Sequence, residues 1–275
     1  MSFFAIAISK VILKINKNSG KVLSLNFLHK INEEITNTVE TDGIIFYCPN
    51  ITTLKRFKAY GREQDTFSWI DNYIKEEDIL FDIGACIGEM SLYAAKKRKA
   101  NVFAFEPSSL NYSILYQNIF LNSLDDRISA LNVALSDQNH ISSLIYDQER
   151  FIAGKSVHHF SEVNSSIKKV ESPEFRQTTI GYTVDRLIEE HSLPIPNHIK
   201  IDVDGNEHKI IVGSKDVLKS SELKTIACEF NEEIPEHHEM IKTIEEFGFK
   251  IINSISTENN KEVLERDTQN LFYVR

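Results

Sequence analysis

Two stretches of the chain carry residue types and spacings that could act on a bound small molecule. Residues 79–88 read Ile-Leu-Phe-Asp-Ile-Gly-Ala-Cys-Ile-Gly, a short apolar run, then Asp82, then Gly84 and Gly88 four apart, ahead of a helix-like segment. Such a run is a strand buried on both faces. Glycines after it permit a tight turn that brings backbone N–H groups close to a ligand, because no Cβ stands in the way. Val102–Pro107 is a second apolar run and ends in Glu106, 24 residues after Asp82. That is about the separation at which the next strand delivers a carboxylate to the hydroxyls of a ribose.

The loop pattern is D-x-G-x-x-x-G, without the G-x-G-x-x-G of a dinucleotide fingerprint that an NAD-linked oxidoreductase would need. A carboxylate at the strand tip repels a pyrophosphate and suits a cationic amino-acid group. S-adenosylmethionine has an ammonium, a sulfonium and a ribose diol. The expected cofactor-binding set is therefore Asp82, Gly84, Cys86, Gly88 and Glu106. Ser136 and Asp137 join it, because they follow the third strand (Ile128–Leu135) where loops line the ligand crevice of such sheets. The plainer alternative is that the two glycines make only a strand-to-helix turn, and Glu106 at that distance weighs against it.

Acids at strand tips need a reason to be there. Asp202 ends the apolar run His198–Val203, and Glu229 sits inside Thr225–Phe230, where an unpaired acid is costly. Service as a general base beside the ligand crevice is one such reason. Asp202, Glu229 and His158 are the catalytic candidates, with His159 or His208 as alternatives to His158. Adjacent His158 and His159 would face opposite ways on a strand. Asp204 and Glu207 read as a capping box on the next helix. A divalent cation held by Asp202, Asp204 and Glu229 is the alternative, disfavoured because no imidazole-rich set accompanies them.

The elements that must position these residues follow from composition and pattern. The 275 residues suffice for one large α/β domain with an N-terminal appendage. A formal charge of −9 argues against a nucleic-acid phosphate track. Cys48, Cys86 and Cys228 lack paired spacing, which fits a reducing, cytoplasmic compartment. Residues 1–60 read as an accessory region. Within it, Phe3–Ile15 is apolar but broken by Lys10 and Lys14, too short to span a bilayer. It reads as a helix packing on the domain, on a second subunit as a homo-oligomer contact, or peripherally on a membrane surface. Glu63, just before the second helix, reads as a solvated acid, with reach to the cofactor mouth as the alternative. Residues 61–275 alternate strand and helix, the pattern of a doubly wound sheet. Residues 139–182 break the alternation as a substrate-side insertion. His237 and His238, on the helix Pro235–Phe247, read as solvated.

The DIGACIG loop, AFEPSSLNYSILYQN, ALNVALSD, TVDRL, KIDVDGNE and ACEFNE together resemble the FkbM family of S-adenosylmethionine-dependent methyltransferases over roughly residues 60–275. NVALSD combined with KIDVDGNE is more discriminating than the glycine loop. The resemblance implies a Rossmann-like class I methyltransferase sheet with an antiparallel last strand. It also implies O-methylation of a hydroxyl on a sugar, a polysaccharide or a natural product. Cys86 departs from the family, whose loop more often has Asn there. The acceptor expected is a sugar or glycan. O-methylation of a non-sugar natural product, or a catalytically silent cofactor-binding partner subunit, are the alternatives. A nucleic-acid base methyltransferase is disfavoured because the fourth strand ends in IDVDG, with neither a D/N-P-P-aromatic motif nor a Pro-Cys pair.

Overall fold

Apolar runs too short to be helices pair side by side, and a sheet forms. The computed structural model describes residues 37–58, 60, 63–146, 153–154, 159–160, 175–252 and 268–275. The chain divides into two compact units, residues 1–39 and 40–275. Most of the first, including the Phe3–Ile15 segment, lies outside the described residues, as does His158.

In chain order, β1 (Thr38–Thr41) and β2 (Ile44–Tyr47) precede helices α1 (Ile51–Lys58) and α2 (Gln64–Tyr73). Strand β3 (Ile79–Ile83) leads into α3 (Glu89–Tyr93), which runs on into a π-helical turn, Ala94–Arg98. Then come β4 (Asn101–Phe105), α4 (Ser109–Leu121), β5 (Ile128–Leu131), β6 (Ala134–Leu135), β7 (His140–Tyr146), β8 (His159–Phe160), β9 (Phe175–Tyr182) and α5 (Val184–His191). The last third holds β10 (His198–Ile201), α6 (Glu207–Val212), α7 (Lys215–Lys219), β11 (Thr225–Asn231), α8 (Pro235–Glu246), β12 (Lys250–Ile251) and β13 (Thr268–Val274).

Seven strands form the main sheet in the order β12-β13-β11-β10-β3-β4-β5. Its central pairs are parallel, and β13 runs antiparallel between β11 and β12. This is the doubly wound, mostly parallel α/β sheet that the alternation implies, with the antiparallel last strand that the family resemblance implies. Every residue of β10 is buried, and Phe81, Ile83, Ile199, Ile201, Ile226 and Cys228 belong to one apolar cluster with Val217, Met240 and Ile244 from the helices. Because the strands are parallel, Gly84, Glu106 and Asp202 all emerge at the same, carboxyl edge.

Three elements differ from the sequence reading. The run Ile128–Leu135 is two strands: β5 stays in the main sheet, while β6 pairs with β9. The stretch that breaks the alternation forms a second sheet, β6-β9-β7-β8. The helix after Asp204 divides at Gly213-Ser214, where a Cβ on Gly213 would lie 2.2 Å from the Ser136 carbonyl oxygen, so this close approach requires glycine.

Candidate functional site

The turn after β3 is built by backbone bonds to the neighbouring strand. Gly84 and Ala85 N–H groups both donate to the Phe105 carbonyl at 3.0 Å. Gly84 (φ +79°) lies so close to β10 that a Cβ would sit 1.9 Å from the Asp202 carbonyl oxygen. Cys86 (φ +50°) is buried, and burial pushes its thiol pKa up to about 12. It meets the ligand crevice as a buried thiol and a committed N–H, since that N–H donates to Glu106 Oε2 at 2.8 Å. Gly88 (φ +93°) caps α3, with Leu115 packed where its Cβ would be.

Glu106 is 4% exposed. Its second oxygen accepts the Ser108 N–H at 2.8 Å, so one carboxylate ties the glycine turn to the start of α4. Burial raises its pKa to about 7, against the lowering effect of these backbone donors. Ser108 caps α4, and its hydroxyl accepts from Tyr146 of β7 at 2.9 Å. Asp82 braces the turn from below: Oδ2 accepts the Ser91 hydroxyl at 2.6 Å. Its Oδ1 is buried, 3.5 Å from Lys200 Nζ and without a hydrogen bond.

Lys200, absent from the sequence-derived set, is buried in the middle of β10, 3.5 Å from Asp82 and 3.4 Å from Asp202. Burial opposes its charge, but Asp202, Asp82 and Glu63 outweigh that and push its pKa up. Glu63 is half-buried rather than solvated. Burial and the Asp202 charge raise its pKa, and Lys200 and Arg56 pull the other way.

A pocket at this edge is lined by Gly84, Cys86, Glu106, Asp202, Asp204 and Arg56 on its polar side. Val133, Ala134, Leu135, Leu144 and Phe105 form its apolar wall, with Asn111 at the first turn of α4. Asp204, read from sequence as part of a cap, faces this pocket with a left-handed backbone (φ +56°), and burial together with the Asp202 and Glu207 charges raises its pKa to about 7. The N-cap of α6 is Asn206 instead. Glu207 is fully buried and accepts the Val203 N–H at 2.8 Å and the Gly205 N–H at 2.9 Å, closing the loop that carries Asp202 and Asp204. His237, 1% exposed rather than solvated, lies 3.1 Å from Glu207 through Nε2. Its Nδ1 accepts the Asn231 N–H, which leaves the ring proton on Nε2.

The other sequence-derived residues are placed as follows. Asp82 lies beneath the turn, outside the pocket lining. Ser136 and Asp137 lie just past the lining residues 133–135, with the Ser136 hydroxyl donating to Asp137 at 3.0 Å. Glu229 follows Cys228, the partner of Ile201, and so stands level with Asp202 on the next strand. His208 is on α6, its ring 5.8 Å from that of His237 and away from the pocket lining. The β8 backbone pairs His159 with Ile145. Among the described residues no group of three or more His, Cys, Asp or Glu is arranged to hold a metal ion, so Asp202, Asp204 and Glu229 are not brought together as a cation cage. Nor is any helix among them long and apolar enough to cross a membrane.

A larger cleft of about 360 Å³ opens at the opposite edge, lined by Lys75, His198, Lys224 and Arg275 among others. There Asp78 lies 3.1 Å from His198 and 2.7 Å from Lys224. The smaller pocket gathers the glycine turn and the strand-tip acids, and it is the candidate site.

The model of the methyltransferase FkbM domain matches residues 82–251. A hexuronic acid methyltransferase of Haloferax volcanii, AglP, is 28% identical over 176 residues, 64% of this chain and 66% of the relative. A tRNA(Phe) (4-demethylwyosine(37)-C(7)) aminocarboxypropyltransferase of Pyrococcus horikoshii is 39% identical over 98 residues, 36% of this chain and 34% of that protein. The chain thus spans about two thirds of one curated relative and one third of the other. Among solved structures, M. jannaschii TYW2 in complex with AdoMet superposes with a TM-score of 0.41 at 16% identity, covering 86% of this chain and 85% of that one.

Proposed function

The chain belongs to the FkbM methyltransferase family, and from that premise we propose that it uses S-adenosylmethionine to methylate a hydroxyl of a sugar or glycan. One observation carries the cofactor assignment: the pocket pairs an apolar wall (Val133, Leu135, Leu144) with a rim of carboxylates (Glu106, Asp202, Asp204) at the glycine turn. That donor set fits a molecule with an aromatic base at one end and a diol and a cation at the other. When bound, the cofactor supplies an electrophilic methyl group.

The residues of the chain do the rest. The lone pairs of Glu106 not used by Cys86, Ser108 and Asn111 accept the ribose hydroxyls. The apolar wall excludes water from the base. Asp202, pinned by Lys200 at 3.4 Å, receives the proton that the acceptor hydroxyl gives up as its oxygen forms the new bond. Positioning the acceptor in line contributes as well. The sugar acceptor is supported by the hexuronic acid methyltransferase relative, and the net charge of −9 is unsuited to a polyanionic track. The test is transfer of labelled methyl from S-adenosylmethionine to a panel of uronic-acid and neutral-sugar glycosides and surface glycans. Label in a sugar fraction is expected. Cofactor binding without label in any acceptor would leave the catalytically silent reading standing.

The ribose role gives a pH prediction. A diol donates to an ionised carboxylate, and Glu106 ionises at about pH 7. Affinity for S-adenosylhomocysteine, by titration calorimetry, is therefore expected to rise from pH 6 to pH 8. Glu106→Gln turns an amide NH₂ toward one of two backbone donors and loses the charge-assisted bonds, about 1.5–3 kcal/mol, or roughly 10- to 100-fold. Its affinity should also vary less with pH, the residual rise coming from Asp204 in the same pocket. Normal affinity in this variant would remove Glu106 from the ribose site.

A further inference from the structure

Arg56 comes from α1, ahead of the 82–251 segment that matches the family, and yet it lines the pocket. Its Nε donates to Glu89 Oε2 at 3.1 Å. Among the described residues its two terminal nitrogens make no hydrogen bond, and its side chain keeps 24% of its surface exposed. The other cation at the site, Lys200, is fully engaged between Asp82 and Asp202. The pocket thus offers several carboxylates and one guanidinium fork with two free arms.

A lone anion would be repelled by Glu106, Asp202 and Asp204, with Glu63 and Glu89 close by. A lone cation would leave the fork unpaired. A zwitterion answers both: its ammonium sits among the acids, and its carboxylate meets the planar, bidentate donor that suits it. We propose that Arg56 receives the carboxylate of an α-amino acid group at the mouth of this pocket, which, on the reading above, is the amino-acid end of the cofactor. The fork is held in place by Glu89, the first residue of α3, so the helix that follows the glycine turn orients it.

The experiment compares two nucleoside thioethers by titration calorimetry: S-adenosylhomocysteine, which has the amino-acid group, and 5′-methylthioadenosine, which lacks it. Arg56→Gln is expected to weaken the first by 10- to 100-fold and leave the second unchanged. Arg56→Lys, which keeps the charge without the fork, should fall between. Equal losses for both ligands would mean that Arg56 only shapes the pocket, and no loss for either would likewise overturn the proposal. Retained homocysteine-nucleoside affinity with lost binding of glucuronate would move the fork to an acidic acceptor, again overturning it. Wild-type protein binding neither nucleoside would instead sink the cofactor reading itself. Melting temperatures of both variants guard against misfolding.

Discussion

Gly84→Ala is expected to destabilise the protein by about 3 kcal/mol or more. Two costs combine. A left-handed backbone costs a non-glycine residue roughly 1–2 kcal/mol, and an overpacked core position roughly 1–3 kcal/mol. Here the added Cβ meets backbone, 1.9 Å from the Asp202 carbonyl oxygen, so no side chain can swing aside. Nor can Asp202 retreat easily, because its N–H is bonded to the Ile83 carbonyl at 3.1 Å within the β3–β10 pair. For a domain of this size the loss corresponds to a melting-temperature drop of about 6–12 °C. Gly248→Ala is the control. Its φ of +91° carries the same backbone cost, but a Cβ there meets nothing within 4 Å, so about 1 kcal/mol is expected. Equal melting shifts for the two variants would show that the strands relax around Gly84, and that the tight seam between the turn and Asp202 is not needed.

That seam explains why so much of the site can be read from the chain. Strands β3, β4, β10 and β11 are apolar runs of four to seven residues, and a parallel sheet places their carboxyl ends together whatever the intervening loops do. Asp82, Gly84, Glu106 and Asp202 stand out because a carboxylate or a glycine in such a run needs a partner or a turn. The same logic applied to Lys200 would have found it: a lysine inside His-Ile-Lys-Ile is as costly to bury as an acid, and two acids flank it in space. His237 carries a signal too. Spaced three and seven residues from Met240 and Ile244, it shares their buried face, whereas His238 one position on does not. Arg56 has no local signature. Its place at the pocket depends on how α1 packs, a tertiary contact that neither spacing nor composition encodes. The second sheet was hidden for a related reason: β6 is two residues long and pairs with residues 47 positions further along the chain.

Glu207 shows how a residue first read as a cap can serve the site at one remove. Its carboxylate accepts two loop N–H groups and faces His237, so the Asp202–Asn206 loop is closed on itself. Glu207→Leu would leave those donors unpaired in a dry environment, at about 1–3 kcal/mol each. Thermal unfolding should record it as a loss comparable to that of Gly84→Ala. A variant as stable as the wild type would show that the loop holds its shape unaided.

Asp202→Asn is expected to cut turnover by about 10² to 10⁴, the range attributable to a positioned general base, or roughly 3–5 kcal/mol of barrier. The amide keeps the shape and the contact with Lys200 through its oxygen, so cofactor affinity should stay close to normal. What is lost is the acceptor of the hydroxyl proton, without which the oxygen gaining the methyl group would be left with a positive charge. The rival on this loop is Asp204, which faces the same pocket and whose carboxyl ionises at about pH 7 because it is buried beside Asp202 and Glu207. If Asp204 were the base, kcat would climb tenfold per pH unit up to about 7 and level off above it, since the protonated acid cannot accept a proton. Asp204→Asn would then abolish that limb along with the activity. With Asp202 as base, Asp204→Asn should cost less than tenfold. Saturating kcat against pH for wild type and both variants separates the two: a near-normal rate in Asp202→Asn together with a collapsed one in Asp204→Asn would transfer the role. Either result fixes which of two carboxylates, two residues apart on one strained turn, meets the acceptor.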